Sequence, residues 1–313
     1  MARHIPLAEA AASLSQHFHN VGKDSSSEGE DNIIVASKRL MKHLAAPLVS
    51  QMKLDGRQSS GIRLLDSACG AGVFTQEVQK ALRRDVLDKS TFVCTDSSHG
   101  MVELVRKRVG GEGWVNVETR VADATDSGLA ADSFTHVAVA LGLHLIPDPD
   151  AVLADCQRIL KQGGVFGATT FPRSNGRRFW FPDMREAFAS FSFPGALLPD
   201  EMPMQMHDSG RWDDAAWIQT HLAAKGFEEV LVVVSEGSCR VEGADEWMRL
   251  FGMMMPFLMR TWWSEETRRA HDLDEVKKLV SRFLKNKYGD EGWEVSWEII
   301  SMTGVVHAKK YKQ

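Results

Sequence analysis

Disulfides, metals and membrane spans find little support in this chain of 313 residues. Only four cysteines occur, Cys69, Cys94, Cys156 and Cys239, and no two form a C-x-x-C pair. That spacing speaks against a zinc knuckle or a redox dithiol, and so few cysteines fit a reducing compartment. The eleven histidines form no metal-like spacing, and no metal is expected. No run approaches the roughly 18 apolar residues that signal a membrane-spanning helix. The opening "MARHIPLAEAAASLSQHFHN" also lacks the continuous apolar stretch of a secretory signal. The expected location is therefore the cytoplasm, with no membrane partner. An excess of positive charge is missing too: 37 Lys and Arg face 42 Asp and Glu, a net charge of −5. No broad basic field is present to grip a phosphate backbone, so no nucleic-acid partner is expected.

What the chain does have is rhythm. "IIVASKRLMKHLAAPLVSQM" (33–52) carries Ile33, Leu40, Leu44 and Leu48 near one stripe and predicts a helix, while "GKDSSSEGEDN" (22–32) is polar and predicts a loop. From residue 61 short apolar runs alternate with helical patterns. "GIRLLD", "TFVCTD", "WVNVETRVAD", "SFTHVAVAL" and "GGVFGATTF" predict five strands, and helices are predicted between most of them. "FEEVLVVVSEG" and "WEVSWEIISMTGVVHAKK" add two more strands. Strict alternation implies right-handed crossovers and a doubly wound, mostly parallel, seven-stranded α/β sheet. The rhythm breaks at 172, where a Pro- and aromatic-rich stretch runs to 210, too long for an ordinary connection. Four segments follow: an N-terminal helical segment and lid (1–60), a core (61–171), an inserted cap (172–210), and a C-terminal part (211–313). The last completes the sheet and holds a helical insertion at about 243–287.

"LLDSACGAGVFT" (64–75) is the chemical signal. Ligands of open α/β sheets bind beyond the carboxyl ends of the strands, and Gly70 and Gly72 let the backbone approach a ligand closely. The dinucleotide pattern G-x-G-x-x-G fails because position 75 is Thr75, and no Gly-Lys-Ser or Gly-Lys-Thr phosphate loop occurs. Asp66 beside the turn would repel a pyrophosphate but suits a cation. Asp96 ends the second predicted strand, where a carboxylate can accept from a ribose diol, and Asp123 ends the third, near where an adenine amino group could donate. A turn with three strand-end acids fits a nucleoside with a positively charged amino-acid arm.

These motifs resemble the class I S-adenosylmethionine (SAM) dependent methyltransferases. The likeness lies in "LLDSACGAG", "CTDSSHGMVELVRKR", "VADATD" and the stretch from "LAADSFTHVAVALGLHLIPDPD" to "GGVFGATTF". It implies SAM as cofactor, with S-adenosylhomocysteine as product. It implies a binding set of Asp66, Ala68, Cys69, Gly70, Gly72, Asp96, Ser97, Met101, Asp123, Ala124, Ala140 and Leu141. Within it Asp66 lies near the methionine amino group, Asp96 takes the ribose, Met101 packs on the adenine, and Ala140 and Leu141 border the sulfonium. Thr135 stands where the family often has aspartate, a change expected to affect strand packing. Simpler roles stand beside these: Asp66 and Asp96 as helix caps, and Asp123 as a turn residue.

His144, after the fourth predicted strand, is the candidate general base; a structural histidine is the alternative. His136 reads as a core residue, and His17, His19 and His207 lie in segments that could close over a site. Phe179, Trp180, Trp247, Phe251 and Met254 are the candidate walls of an apolar substrate pocket, or else a packed core or dimer interface. The expected function is methylation, at S, O or N, of a medium-sized hydrophobic small molecule. The style is closest to fungal natural-product enzymes, and the protein is expected to act as a monomer or homodimer. The alternatives are the same fold recruited to a non-methylating reaction, and a SAM-binding regulator.

Overall fold

The protein is described by a computed structural model that covers residues 5–21, 27–173 and 179–307. In chain order, helices α1 (Leu7–Val21), α2 (Ser27–Ala36) and α3 (Lys42–Gln51) precede strand β1 (Arg63–Ser67), with one π-helical turn at Ser37–Met41. Then come α4 (Val73–Ala81), α5 (Arg84–Leu87), β2 (Thr91–Asp96), α6 (His99–Glu112), β3 (Val117–Val121), β4 (Phe134–Ala140), α7 (Pro149–Ile159) and β5 (Leu160–Thr170). The chain continues through α8 (Phe181–Ala189), α9 (Ala215–Ala224) and β6 (Glu228–Val241). It closes with α10 (Ala244–Phe251), α11 (Met255–Trp262), α12 (Glu265–Ala270), α13 (Leu273–Tyr288) and β7 (Trp293–Val306). The expected strand over 293–310 is thus found to Val306; 308–310 lie outside the described residues.

All seven strands form one sheet, ordered β3-β2-β1-β4-β5-β7-β6. The pairs β1–β2, β2–β3, β1–β4 and β4–β5 are parallel, and β7 runs antiparallel to β5. The doubly wound, mostly parallel α/β class is therefore what the chain adopts. The order reverses between β1 and β4, which puts the topological switch point beside the end of β1.

Two compact units divide the chain. The larger comprises residues 37–172, 208–235 and 299–313, so it gathers segments that are far apart in sequence. Its central strands are buried on both faces, while the edge strands β3 and β6 are largely exposed. Val137, Val139, Phe166 and Ala168 join Val152, Leu153 and Cys156 of α7 and Ile218 and Leu222 of α9 in one core. Leu64, Phe92 and Ala138 join Ala45, Leu48 and Met52 with Phe74 and Val78 of α4 in another. Each valine, leucine, isoleucine, phenylalanine or methionine among them contributes about 1.5–3 kcal/mol when fully buried. Thr135 donates its hydroxyl to the Arg63 carbonyl and accepts from the Arg63 amide, tying β4 to β1 at the position where β4 shifts register against β5.

The other unit comprises residues 1–36, 173–207 and 236–298. Its core is aromatic: Trp247, Trp263, Phe188 and Phe257 are buried with Val276, Val280 and Leu284 of α13. A buried carboxylate, Asp183, accepts from Tyr288 Oη at 2.7 Å, Lys287 Nζ at 3.0 Å and Trp293 Nε1 at 3.2 Å. Residues 27–32, expected within a loop, lie instead in α2. The polar stretch hid the helix because its apolar anchors, Ile33 and Ala36, come only in the last turn, where both are buried.

Candidate functional site at the strand tips of the sheet

The turn after β1 adopts its shape through three left-handed residues, Ala68 (φ 51°), Gly70 (φ 51°) and Gly72 (φ 73°). A Cβ added at Gly72 would lie 3.1 Å from the Trp114 ring, whereas one at Gly70 would meet nothing within 4 Å. The space beside Gly70 is therefore open. Cys69 N–H donates to the Thr95 carbonyl at 2.9 Å, and Gly72 N–H to the Cys69 carbonyl at 2.8 Å.

Two carboxylates hold this turn. Asp66 is buried, and its Oδ2 accepts from the Thr75 amide (3.1 Å) and hydroxyl (2.8 Å), so it stabilises the first turn of α4. Its Oδ1 is buried without a hydrogen-bond partner. Burial pushes the Asp66 carboxyl up to about 7 against the pull of the Thr75 bonds, and Asp96 adds like-charge repulsion. Asp96, at the tip of β2, accepts from the Gly70 amide at 2.9 Å and the Ser98 amide at 2.8 Å. Burial raises its carboxyl above the usual range, opposed by those two backbone bonds.

The neighbouring tips complete the row. The Ala122 amide donates to the Asp96 carbonyl at 3.1 Å, which places Asp123 next to that tip. Asp123 is exposed, and its Oδ1 accepts from the Thr125 amide and hydroxyl at 2.9 and 2.8 Å, a turn of the Asx kind. Ala124 is half-buried and Ser97 exposed. Met101 is buried, its amide donating to Ser98, the N-cap of α6. On the other side of β1, β4 ends at Ala140, and Leu141 follows with φ 60°, its amide donating to Thr169 Oγ1 at 3.0 Å. A leucine in that conformation carries strain of order 1–3 kcal/mol, a feature that clusters at functional sites.

A cationic ligand fits this arrangement. A buried carboxyl with an unpartnered oxygen, Asp66, and a half-buried one, Asp96, both with raised proton affinity, gain from a nearby positive charge, and the open side of Gly70 admits a ligand to the backbone. The turn offers no lysine or third glycine for a diphosphate.

A family model described as "Methyltransferase domain" matches residues 65–168, the span from β1 to β5 that carries this row of strand tips. Those residues are a methyltransferase domain of the class I, SAM-dependent type. Curated relatives extend the likeness beyond the domain. Methyltransferase tpcH of Aspergillus fumigatus is 28% identical over 251 residues, 79% of this chain and 86% of its own length. Methyltransferase ktnA of Aspergillus niger is 26% identical, over 78% of this chain and 84% of its own. Acetylaranotin bis-thiomethyltransferase of Aspergillus terreus is 24% identical, over 72% and 75%.

Other candidate residues of the methyltransferase fall into two environments. His144 lies in the turn after β4, is 4% exposed, and packs edge-on to Phe171 with ring centroids 5.4 Å apart. His136 sits half-buried on β4 with Nδ1 2.9 Å from Thr135 Oγ1; desolvation lowers it to about 4, so it is neutral near pH 7. In the smaller unit, Trp247 and Phe251 are buried edge-to-face at 5.3 Å. Met254, Phe179 and Trp180 there are half-buried, and Trp180 meets Phe181 edge-on at 5.8 Å. His17 is buried in that unit, lowered to about 4 by burial and Arg260, and His207 is buried too. The side chain of His19 lies outside the described residues. Among the described residues no group of three or more metal-ligand side chains occurs, and no helix is long and apolar enough to cross a membrane.

One residue of the site's surroundings escaped the sequence reading. Arg108 on α6 is buried, and it donates to the Ala71 carbonyl and to Gln76 Oε1. The signal was present: Met101, Val105 and Arg108 fall on one helical stripe, so a cation sits where an apolar residue is expected.

Proposed function

We propose that this methyltransferase transfers a methyl group from SAM to a medium-sized hydrophobic small molecule of the natural-product type, leaving S-adenosylhomocysteine. The row of acids around the Gly70 turn carries the reading, because it suits a cationic adenosyl ligand. The relatives support the substrate class. One of them is named as a bis-thiomethyltransferase of acetylaranotin.

The cofactor, when bound, supplies an electrophilic methyl group on a sulfonium. Asp96 holds the ribose hydroxyls while its other contacts fix Gly70 and Ser98. Such bonds to a charged acceptor contribute about 1.5–3 kcal/mol. Asp66 favours the positively charged arm through its field and through the turn it stabilises. Ala68, Cys69, Gly70 and Gly72 line that arm, and Ser97 and Met101 with Asp123 and Ala124 border the adenine. Ala140 and Leu141 border the reacting centre. In-line displacement gains most of its acceleration from positioning, so an acidic acceptor needs little further help. For an acceptor that must lose a proton, His144 is the proposed base.

The test is a panel of thiols, phenols and amines with methyl-labelled SAM. Label transfer with equimolar S-adenosylhomocysteine supports the proposal. Tight SAM binding with no label transfer to any acceptor class counts against it and favours a regulator.

A further inference from the structure

The Ala71 carbonyl points from the middle of the turn to a buried guanidinium. Arg108 donates Nη1 to that carbonyl and Nη2 to Gln76 Oε1. Its Nε donates to Glu112 Oε1 at 3.0 Å, and its guanidinium lies 4.9 Å from the centre of the Trp114 ring. The same ring limits Gly72. Glu112 also pairs with Lys38 at 3.1 Å. The peptide between Ala71 and Gly72 is thus held at both ends, its carbonyl by Arg108 and its N–H by the Cys69 carbonyl at 2.8 Å. Together with Thr75 on Asp66 and Gly70 on Asp96, the turn has three anchors. Two are acidic. The third is a cation that Glu112 neutralises, so it can fix the turn without opposing a positively charged ligand.

We propose that Arg108 is a positioning residue for the cofactor turn, setting its shape from α6 without touching the ligand. This rests on the reading that the turn holds SAM. A residue that shapes the turn acts on everything the turn binds, whereas a residue that acts by charge discriminates between charged and neutral ligands. SAM and S-adenosylhomocysteine differ in the sulfonium charge and share the rest of their frame, so the pair separates the two cases.

The experiment is calorimetric binding of SAM and of S-adenosylhomocysteine to the full-length protein, to Arg108→Ala and to Arg108→Lys, with thermal melts alongside. Arg108→Ala is expected to raise both dissociation constants at least ten-fold and by similar factors. Added methylguanidinium is expected to recover at least three-fold of that loss, since it can re-enter the vacated space and donate to Ala71. Arg108→Lys is expected to fall in between. A folded Arg108→Ala protein with unchanged affinities overturns the proposal, as does a loss confined to one ligand or a loss that methylguanidinium does not relieve. Failure of both variants to fold also overturns it, by assigning the residue to the core alone. A wild-type protein that binds neither ligand instead sinks the underlying reading of the turn.

Discussion

The amide of Gly70 donates to Oδ2 of Asp96 over 2.9 Å, and this bond ties the turn after β1 to the tip of β2. The other oxygen of Asp96 takes the Ser98 amide, so one carboxylate joins a turn, a strand tip and the start of α6. Asp96→Ala removes two charge-assisted acceptors and the proposed ribose partner together. Affinity for SAM is expected to fall at least a hundred-fold by titration calorimetry, and Asp96→Asn, which keeps one acceptor, to fall less. An alanine variant with wild-type affinity would refute the ribose assignment.

Asp66 gives the protein a pH signature. Its carboxyl is raised by burial to about 7 from 3.8. Between those values the folded protein keeps a proton that the unfolded chain has released. The contribution of this group to stability is therefore full below about pH 4, is lost as pH rises toward 7, and levels off above. A bound cation favours the ionised form, so SAM affinity is expected to strengthen as pH rises through 7. Melting temperature and SAM affinity, measured from pH 5 to 8, are both expected to vary less steeply in Asp66→Asn. Identical pH profiles in the two proteins would remove Asp66 from this role.

The two turn glycines are expected to separate stability from binding. Alanine at either one is strained by about 1–2 kcal/mol in the left-handed conformation. At Gly72 the new Cβ also crowds Trp114 at 3.1 Å and Val105 at 3.2 Å, so Gly72→Ala should show the larger drop in melting temperature. Gly70→Ala meets no protein atom within 4 Å, so its main effect is expected on SAM affinity. The reverse order, with Gly70→Ala binding normally, would show that ligands do not approach there.

For His144 the expected outcome depends on the acceptor. His144→Ala should slow turnover ten-fold or more with alcohols or protonated amines, which need a base, and much less with acidic thiols. Equal slowing across acceptors would identify His144 as a packing partner of Phe171 rather than a base.

Much of the sheet was legible because its central strands are buried on both faces and read as apolar runs between turn residues. Val137 and Val139 face one core and Ala138 the other, yet all are apolar. The polar start of α2 gave no such signal, since among its described side chains only Ile33 and Ala36, in its last turn, are buried. Trp247 and Phe251 were legible as a helical stripe, but a stripe cannot say whether it faces a ligand or a core.

The sequence by itself determined the alternation of strands and helices, the left-handed glycines of the first turn and the acids at the strand tips. These depend on periodicity and on backbone conformations that few residues adopt. The tertiary structure alone decided what those acids do to one another. Asp96 meets Gly70 across 26 positions and Arg108 meets Ala71 across 37. The unusual proton affinity of Asp66 comes from complete burial and from Asp96, on a neighbouring strand. Burial and charge coupling are properties of a packed neighbourhood, and no stretch of chain carries them before the sheet assembles.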